Sequence, residues 1–171
     1  MRLFFALWPD SSVQRTLAEW ARACQGACAG RQQQADRLHV TLAFLGEVDL
    51  GRYQTLCDIA DSIRANVFAL TLDRVGYWRH NRIVYATTSD RPEALAALAA
   101  GLSTRLAAAG FRSEARAFVP HVTLIRDARR APDNLDFAPL PWSVSTLTLV
   151  ETTREDGKLA YRRLQSWTLC G

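Results

Sequence analysis

The tetrapeptide His-Val-Thr-Leu occurs twice in this chain of 171 residues, at His39–Leu42 and at His121–Leu124, about half the chain apart. Only three histidines are present, and two of them open these copies. Each copy lies in a stretch rich in β-branched and apolar residues, and each has a helical pattern upstream of it. This points to an internal duplication with pseudo-twofold symmetry. Side chains alternate along a strand, so His39 and Thr41 share one face while Val40 and Leu42 share the other. The same holds for His121 and Thr123 against Val122 and Leu124. Each copy thus offers an imidazole and a hydroxyl backed by an apolar anchor. If the two strands face each other across a cleft, the polar groups of both converge.

The elements around the repeat follow from periodicity and turn chemistry. The segment Arg2-Leu3-Phe4-Phe5-Ala6-Leu7 reads as a first strand ended by Pro9 and Asp10, its apolar run too short for a secretory leader. Ser11 or Ser12 would cap a helix reaching Cys28, with Val13, Leu17, Trp20, Ala21 and Cys24 on its buried face. A strand over Leu38–Leu45 closes at Gly46, and a helix covers residues 50–65 with Leu56, Ile59, Ala60 and Ile63 as its apolar stripe. Strands at Phe68–Val75 and Arg82–Thr88 flank a turn that holds His80 and Asn81. Pro92 opens an Ala/Leu-rich helix through Ala109, with Gly110 as its C-terminal cap. Strands at 111–118, 121–126, 143–151 and 159–169 complete the chain, the last two joined by a hairpin at Glu155-Asp156-Gly157-Lys158. The succession is α+β, with helices covering one face of antiparallel sheets in a single domain, 1–171.

No apolar run approaches the roughly 20 residues of a membrane span. Cys24, Cys28, Cys57 and Cys170 form no Cys-x-x-Cys or Cys/His cluster, so they read as free thiols used as small hydrophobes in a reducing, cytoplasmic setting. The net charge is +4. Arg112, Arg116, Arg126, Arg129 and Arg130 bracket the second histidine segment and would set a positive field there, suited to an anionic substrate.

Two imidazoles on symmetry-related strands suit the opening of a cyclic phosphodiester by in-line attack. One activates the nucleophile and the other protonates the leaving oxygen, and an ordinary pKa near 6.5 admits either role. The threonine hydroxyls would hold nonbridging phosphoryl oxygens. The scheme calls for no cofactor and no metal. Other readings stay open at this point: a small cyclic nucleotide or an ADP-ribose cyclic phosphate as substrate, or an RNA-binding module whose histidines only hold phosphate.

These residues resemble the two-histidine phosphoesterase superfamily, whose members carry paired His-x-Thr/Ser-x motifs. The nearer resemblance is to the RNA 2′,3′-cyclic phosphodiesterases, also called 2′-5′ RNA ligases. It rests on Arg2-Leu-Phe-Phe-Ala-Leu7, Leu38-His-Val-Thr-Leu-Ala-Phe-Leu-Gly46, Phe118-Val-Pro-His-Val-Thr-Leu-Ile-Arg126 and Tyr161-Arg-Arg-Leu-Gln-Ser-Trp167. The resemblance implies two pseudo-symmetric lobes whose antiparallel sheets form a V-shaped central cleft, with helices outside. It implies hydrolysis of RNA 2′,3′-cyclic phosphate ends to 2′-phosphates, with reversible 2′-5′ joining in some members. The implied partners are RNAs with such ends or linkages, tRNA fragments among them, acted on by a monomer. Carried over, His39 is the proton donor and His121 the acceptor, while Thr41, Thr123 and Arg126 bind phosphate. An unbroken strand would turn Arg126 away from His121, since the two are five residues apart. Phe44, at the matching place in the first copy, and Tyr85 are candidates for stacking on a base, with core packing the alternative for both.

Overall fold

The computed structural model describes residues 1–112, 117–133 and 135–170. Strand β1 (Arg2–Leu7) is buried over five of its six residues and runs down the middle of one lobe, where β3 (Val40–Glu47) and β9 (Thr146–Glu155) flank it. The last strand, β10 (Lys158–Thr168), pairs with β9. Asp156 and Gly157 both take positive φ, 50° and 76°, the turn geometry that matches the right-handed twist of a hairpin.

The second lobe holds β7 (Val122–Arg126), β6 (Ile83–Thr87) and β5 (Arg74–Trp78), and the short β2 (Arg31–Gln32) pairs with β7. The lobes meet along β3 and β7, at the single antiparallel pair Val40–Val122. The order β10-β9-β1-β3-β7-β6-β5 is therefore continuous, with one residue pair at its centre. The two His-Val-Thr-Leu strands thus lie side by side in the sheet instead of facing each other across a cleft, and they diverge from their shared rung to open one.

Among the described residues three α-helices cover the outside. Helix α1 (Ser11–Cys28) buries Val13, Leu17, Trp20, Ala21, Cys24 and Cys28. Its cap is Asp10, not a serine. That carboxylate accepts from the amides of Ser12 and Val13 at 2.8 and 2.9 Å. Helix α2 (Tyr53–Asp61) is shorter than its apolar pattern suggested, with a 3₁₀ turn over Leu50–Arg52 before it. Helix α3 (Glu93–Ala108) ends with Gly110 at φ +73°, and the amides of Gly110 and Phe111 return to the carbonyls of Ala107 and Leu106. The helix that precedes each motif packs on the strand of the other motif, α1 against β7 and α3 against β3.

Two strands expected as continuous are broken. The segment from Phe68 divides at Asp73, whose carboxylate takes the amide and hydroxyl of Ser89 and turns the chain. Residues Phe68–Leu72 (β4) then pair with Leu140–Val144 (β8) in a separate two-stranded sheet against α1. The strand expected at 143–151 breaks likewise at Ser145. Of the strand expected at 111–118, residues 113–116 lie outside the described residues and the rest form none. Nor does Gly46 end β3. It sits at φ +70° opposite Leu3, inside the strand.

Gly30, at φ +96°, brings β2 against β7. A Cβ there would stand 2.8 Å from both the Arg126 carbonyl and the Ile125 side chain. Gly30→Ala is expected to destabilise the fold by about 1–3 kcal/mol, a loss that urea unfolding would read directly.

Candidate active site

With Val40 opposite Val122, antiparallel pairing sets His39 across from Thr123 and Thr41 across from His121. The four polar side chains form a two-by-two array around that rung, and all four line a cleft of about 750 Å³. The backbone holds both imidazoles in the same way. Nδ1 of His39 donates to the Arg37 carbonyl at 2.7 Å, and Nδ1 of His121 to the Val119 carbonyl at 2.7 Å. A carbonyl only accepts, so Nδ1 carries the hydrogen and Nε2 is left for chemistry. On His39 that atom takes the Thr41 hydroxyl at 3.1 Å.

Both strands carry a bulge at the fourth residue of the tetrapeptide. Phe5 and Ala6 pair with Ala43 and Thr41, skipping Leu42; Val84 and Tyr85 pair with Ile125 and Thr123, skipping Leu124. The extra residue reverses the alternation beyond it. Arg126 therefore returns to the face of His121 and Thr123 and lines the cleft, which removes the conflict an unbroken strand would create. Phe44 returns likewise to the face of His39. It is 45% exposed, with its ring 5.7 Å from that of Phe4. Tyr85 is not among the lining residues. It lies over Gly76, with its ring 4.1 Å from Trp78 and 5.9 Å from His121, and Trp78 reaches the cleft in its place.

Arg37, Arg91, Arg112 and Arg126 line the cleft, and among the described residues no Asp or Glu does, so its field favours anions. Arg129 and Arg130 point elsewhere: Arg130 donates to the Ala27 carbonyl at the C-terminal end of α1, where a cation suits the helix dipole. Arg116 lies outside the described residues. His80 sits in the β5–β6 turn, as its sequence setting suggested, and also reaches the cleft. Among the described residues no three His, Cys, Asp or Glu side chains converge to hold a metal ion. Cys24, Cys28 and Cys57 are buried free thiols, and burial pushes Cys24 up to about 12, so it stays protonated.

Sequence reasoning missed the aromatic setting of His39. Phe4, Trp8 and Tyr161 all bring their rings within 5.3 Å of it, measured between centroids. The signal was available in the alternation of β1, which puts Phe4, Ala6 and Trp8 on one face. Gln33 was missed too. It is 7% exposed and lines the cleft.

The model of the LigT-like phosphoesterases matches the chain over residues 7–85 and again over 87–161, one stretch around each histidine motif. The chain belongs to the LigT-like phosphoesterases. This family member is 35% identical over 172 residues to the RNA 2′,3′-cyclic phosphodiesterase of Escherichia coli, covering 98% of this chain and 96% of that protein. It is 27% identical over 168 residues to the Thermotoga maritima protein of the same name, covering 90% and 87%. The crystal structure of E. coli LigT complexed with 3′-AMP matches with a TM-score of 0.89 at 34% identity, over 99% of this chain and 98% of that one. The two-lobed antiparallel α+β architecture is thus that of the family.

Burial among aromatic rings pulls the pKa of His39 down to about 4, and the charges of His121 and Arg126 push it the same way, against the Arg37 carbonyl. The unfolded chain therefore binds the His39 proton more tightly than the folded one. Stability from this group is complete above the ordinary value near 6.5 and is lost as pH falls toward 4. Urea unfolding across that window should show a steeper loss in wild type than in His39→Asn, and equal slopes would contradict a buried neutral imidazole.

Proposed function

We propose that this chain hydrolyses RNA 2′,3′-cyclic phosphodiester ends to 2′-phosphomonoesters by two-histidine general acid–base catalysis, with no metal ion in the step. The observation that carries the reading is the pairing of two His-x-Thr units, tethered alike, inside one arginine-lined cleft. The match to proteins named RNA 2′,3′-cyclic phosphodiesterase along nearly the full chain supports the same substrate class. In this reading the whole chain works as one bilobal domain. It acts as a cytoplasmic monomer on RNA ends such as those of tRNA fragments, and can also join ends through 2′-5′ linkages.

The cyclic phosphate lies over the four-residue array. Thr41 and Thr123 donate to its nonbridging oxygens, and Arg126 neutralises the charge that grows there. His121 takes a proton from the attacking water, and His39 delivers one to the leaving 3′ oxygen. With its pKa pulled down to about 4, His39 is neutral at pH 7 before substrate arrives. An anionic phosphate placed beside His39 favours the imidazolium against the burial that keeps the ring uncharged, so substrate itself promotes the acid form. The Thr41 hydroxyl, released from Nε2 as that atom takes a proton, turns to the phosphate. Phe44 offers an exposed ring for the terminal base, and Tyr85 contributes through its contact with Trp78.

The test is hydrolysis of a short RNA ending in a 2′,3′-cyclic phosphate, with chelator in excess. Wild type should yield the 2′-phosphate, and His39→Ala or His121→Ala should each slow turnover by about 10²- to 10⁴-fold while remaining folded. Near-normal rates in either variant would refute its role, and loss of wild-type turnover to chelator would refute the metal-free step. The dependence of kcat/KM on pH should be bell-shaped, and a flat profile from about pH 5 to 9 would exclude a pair of acting imidazoles.

A further inference from the structure

The pseudo-twofold relation between the lobes breaks at the histidines themselves. One residue beyond the pair Leu7–Val40, Trp8 falls opposite His39; one residue beyond the pair Ala86–Val122, Thr87 falls opposite His121. Thr87 sends its hydroxyl to the Pro120 carbonyl at 2.7 Å, and His121 meets Trp78 and Tyr85 edge-on, at interplanar angles of 71° and 77°. Trp8 instead lies flat on His39, with centroids 4.8 Å apart and planes 9° apart. Phe4 also stacks on His39, at 5.1 Å and 30°. Phe4, within β1, and Trp8, just past its end, stand on one face of the chain, about 13 Å apart when it is extended. Ala6 between them is too small to fill that gap, so a ring close to both stands between them. Tyr161 closes one edge at 5.3 Å.

We propose that Trp8 is a positioning residue, the outer wall of an aromatic slot that fixes the plane of the His39 ring and keeps water from its face. The proposal rests on the two-histidine reading and adds to it a physical difference between the twins. The Arg37 carbonyl anchors Nδ1 but leaves the ring free to swing about that bond; the stack removes this freedom and gives Nε2 one direction. Arg163 lies 5.7 Å from the Trp8 ring centroid, a cation–π distance that helps hold the indole in place. Among the described residues the titratable and charged groups around His39 are Tyr161 on β10, Arg126 on β7, His121 just before that strand and Arg37 in the cleft wall, with Arg163 against the Trp8 ring. All of them remain when the indole is removed, so a change in His39 behaviour would trace to Trp8.

The experiment compares full-length Trp8→Leu and Trp8→Phe with wild type, reading the His39 imidazole by NMR titration and kcat and KM on a cyclic-phosphate-ended RNA. Trp8→Leu should lower kcat roughly tenfold with KM altered by less than about threefold, the signature of a misaimed group still able to bind substrate. Its His39 midpoint should rise from about 4 toward the ordinary value, and Trp8→Phe should recover most of both effects. An unchanged His39 midpoint and kcat in Trp8→Leu would overturn the proposal, whatever happens to the melting temperature. The titration needs no turnover, so an inactive wild type would sink the proposed reaction and still leave the slot decided by the midpoint.

Discussion

One rung, Val40 against Val122, fixes the geometry on which everything else in the cleft depends. Two strands that paired along their whole length would make a flat surface, with their polar residues spread along it. Two strands in separate sheets would leave the distance between the histidines to the accuracy of lobe packing. A single shared pair avoids both. It sets the first and third residues of one tetrapeptide against the third and first of the other, and then lets the strands part. The fully buried valines under the rung carry the hydrophobic stabilisation, and the polar face above is free for ligand. Interlocking helices hold the rung in place, since each lobe is covered by the helix that belongs to the other half of the chain.

Much of this was legible because the pattern is short-range. Alternation within His-Val-Thr-Leu gave the correct face for all four polar residues, and the heptad-like spacing of Val13, Leu17, Trp20, Ala21 and Cys24 gave the buried side of α1. Turn chemistry at Asp156-Gly157 gave the last hairpin. Apart from the α1 cap and the length of α2, what failed was whatever depends on a partner distant in sequence. Nothing local in Phe68–Val75 says that its first half pairs with β8 and its second with β6; the break comes from Ser89 reaching back to Asp73. The bulges at Leu42 and Leu124 are of the same kind. A strand read alone has no register, so its parity past the fourth residue could not be known, and the way Arg126 reaches the face of His121 was not legible. The side-by-side arrangement of the two motif strands is a further case, because one pairing residue is too faint a signal for any pattern to carry.

Duplication supplies two equivalent histidines, yet the reaction needs an acid and a base, which are different things. The frame alone cannot assign them: both rings use Nδ1 on a backbone carbonyl at the same 2.7 Å. The difference has to come from positions that the duplication did not keep equal. On one side β1 and the residue after it supply Phe4, Ala6 and Trp8; at the matching places β6 supplies Ile83, Tyr85 and Thr87. A small residue between two large rings makes a slot, whereas a large ring between smaller side chains makes a wedge. His39 enters the slot and is desolvated, and His121 meets the wedge edge-on. Two copies of one motif thereby acquire unlike surroundings without any change in the motif itself.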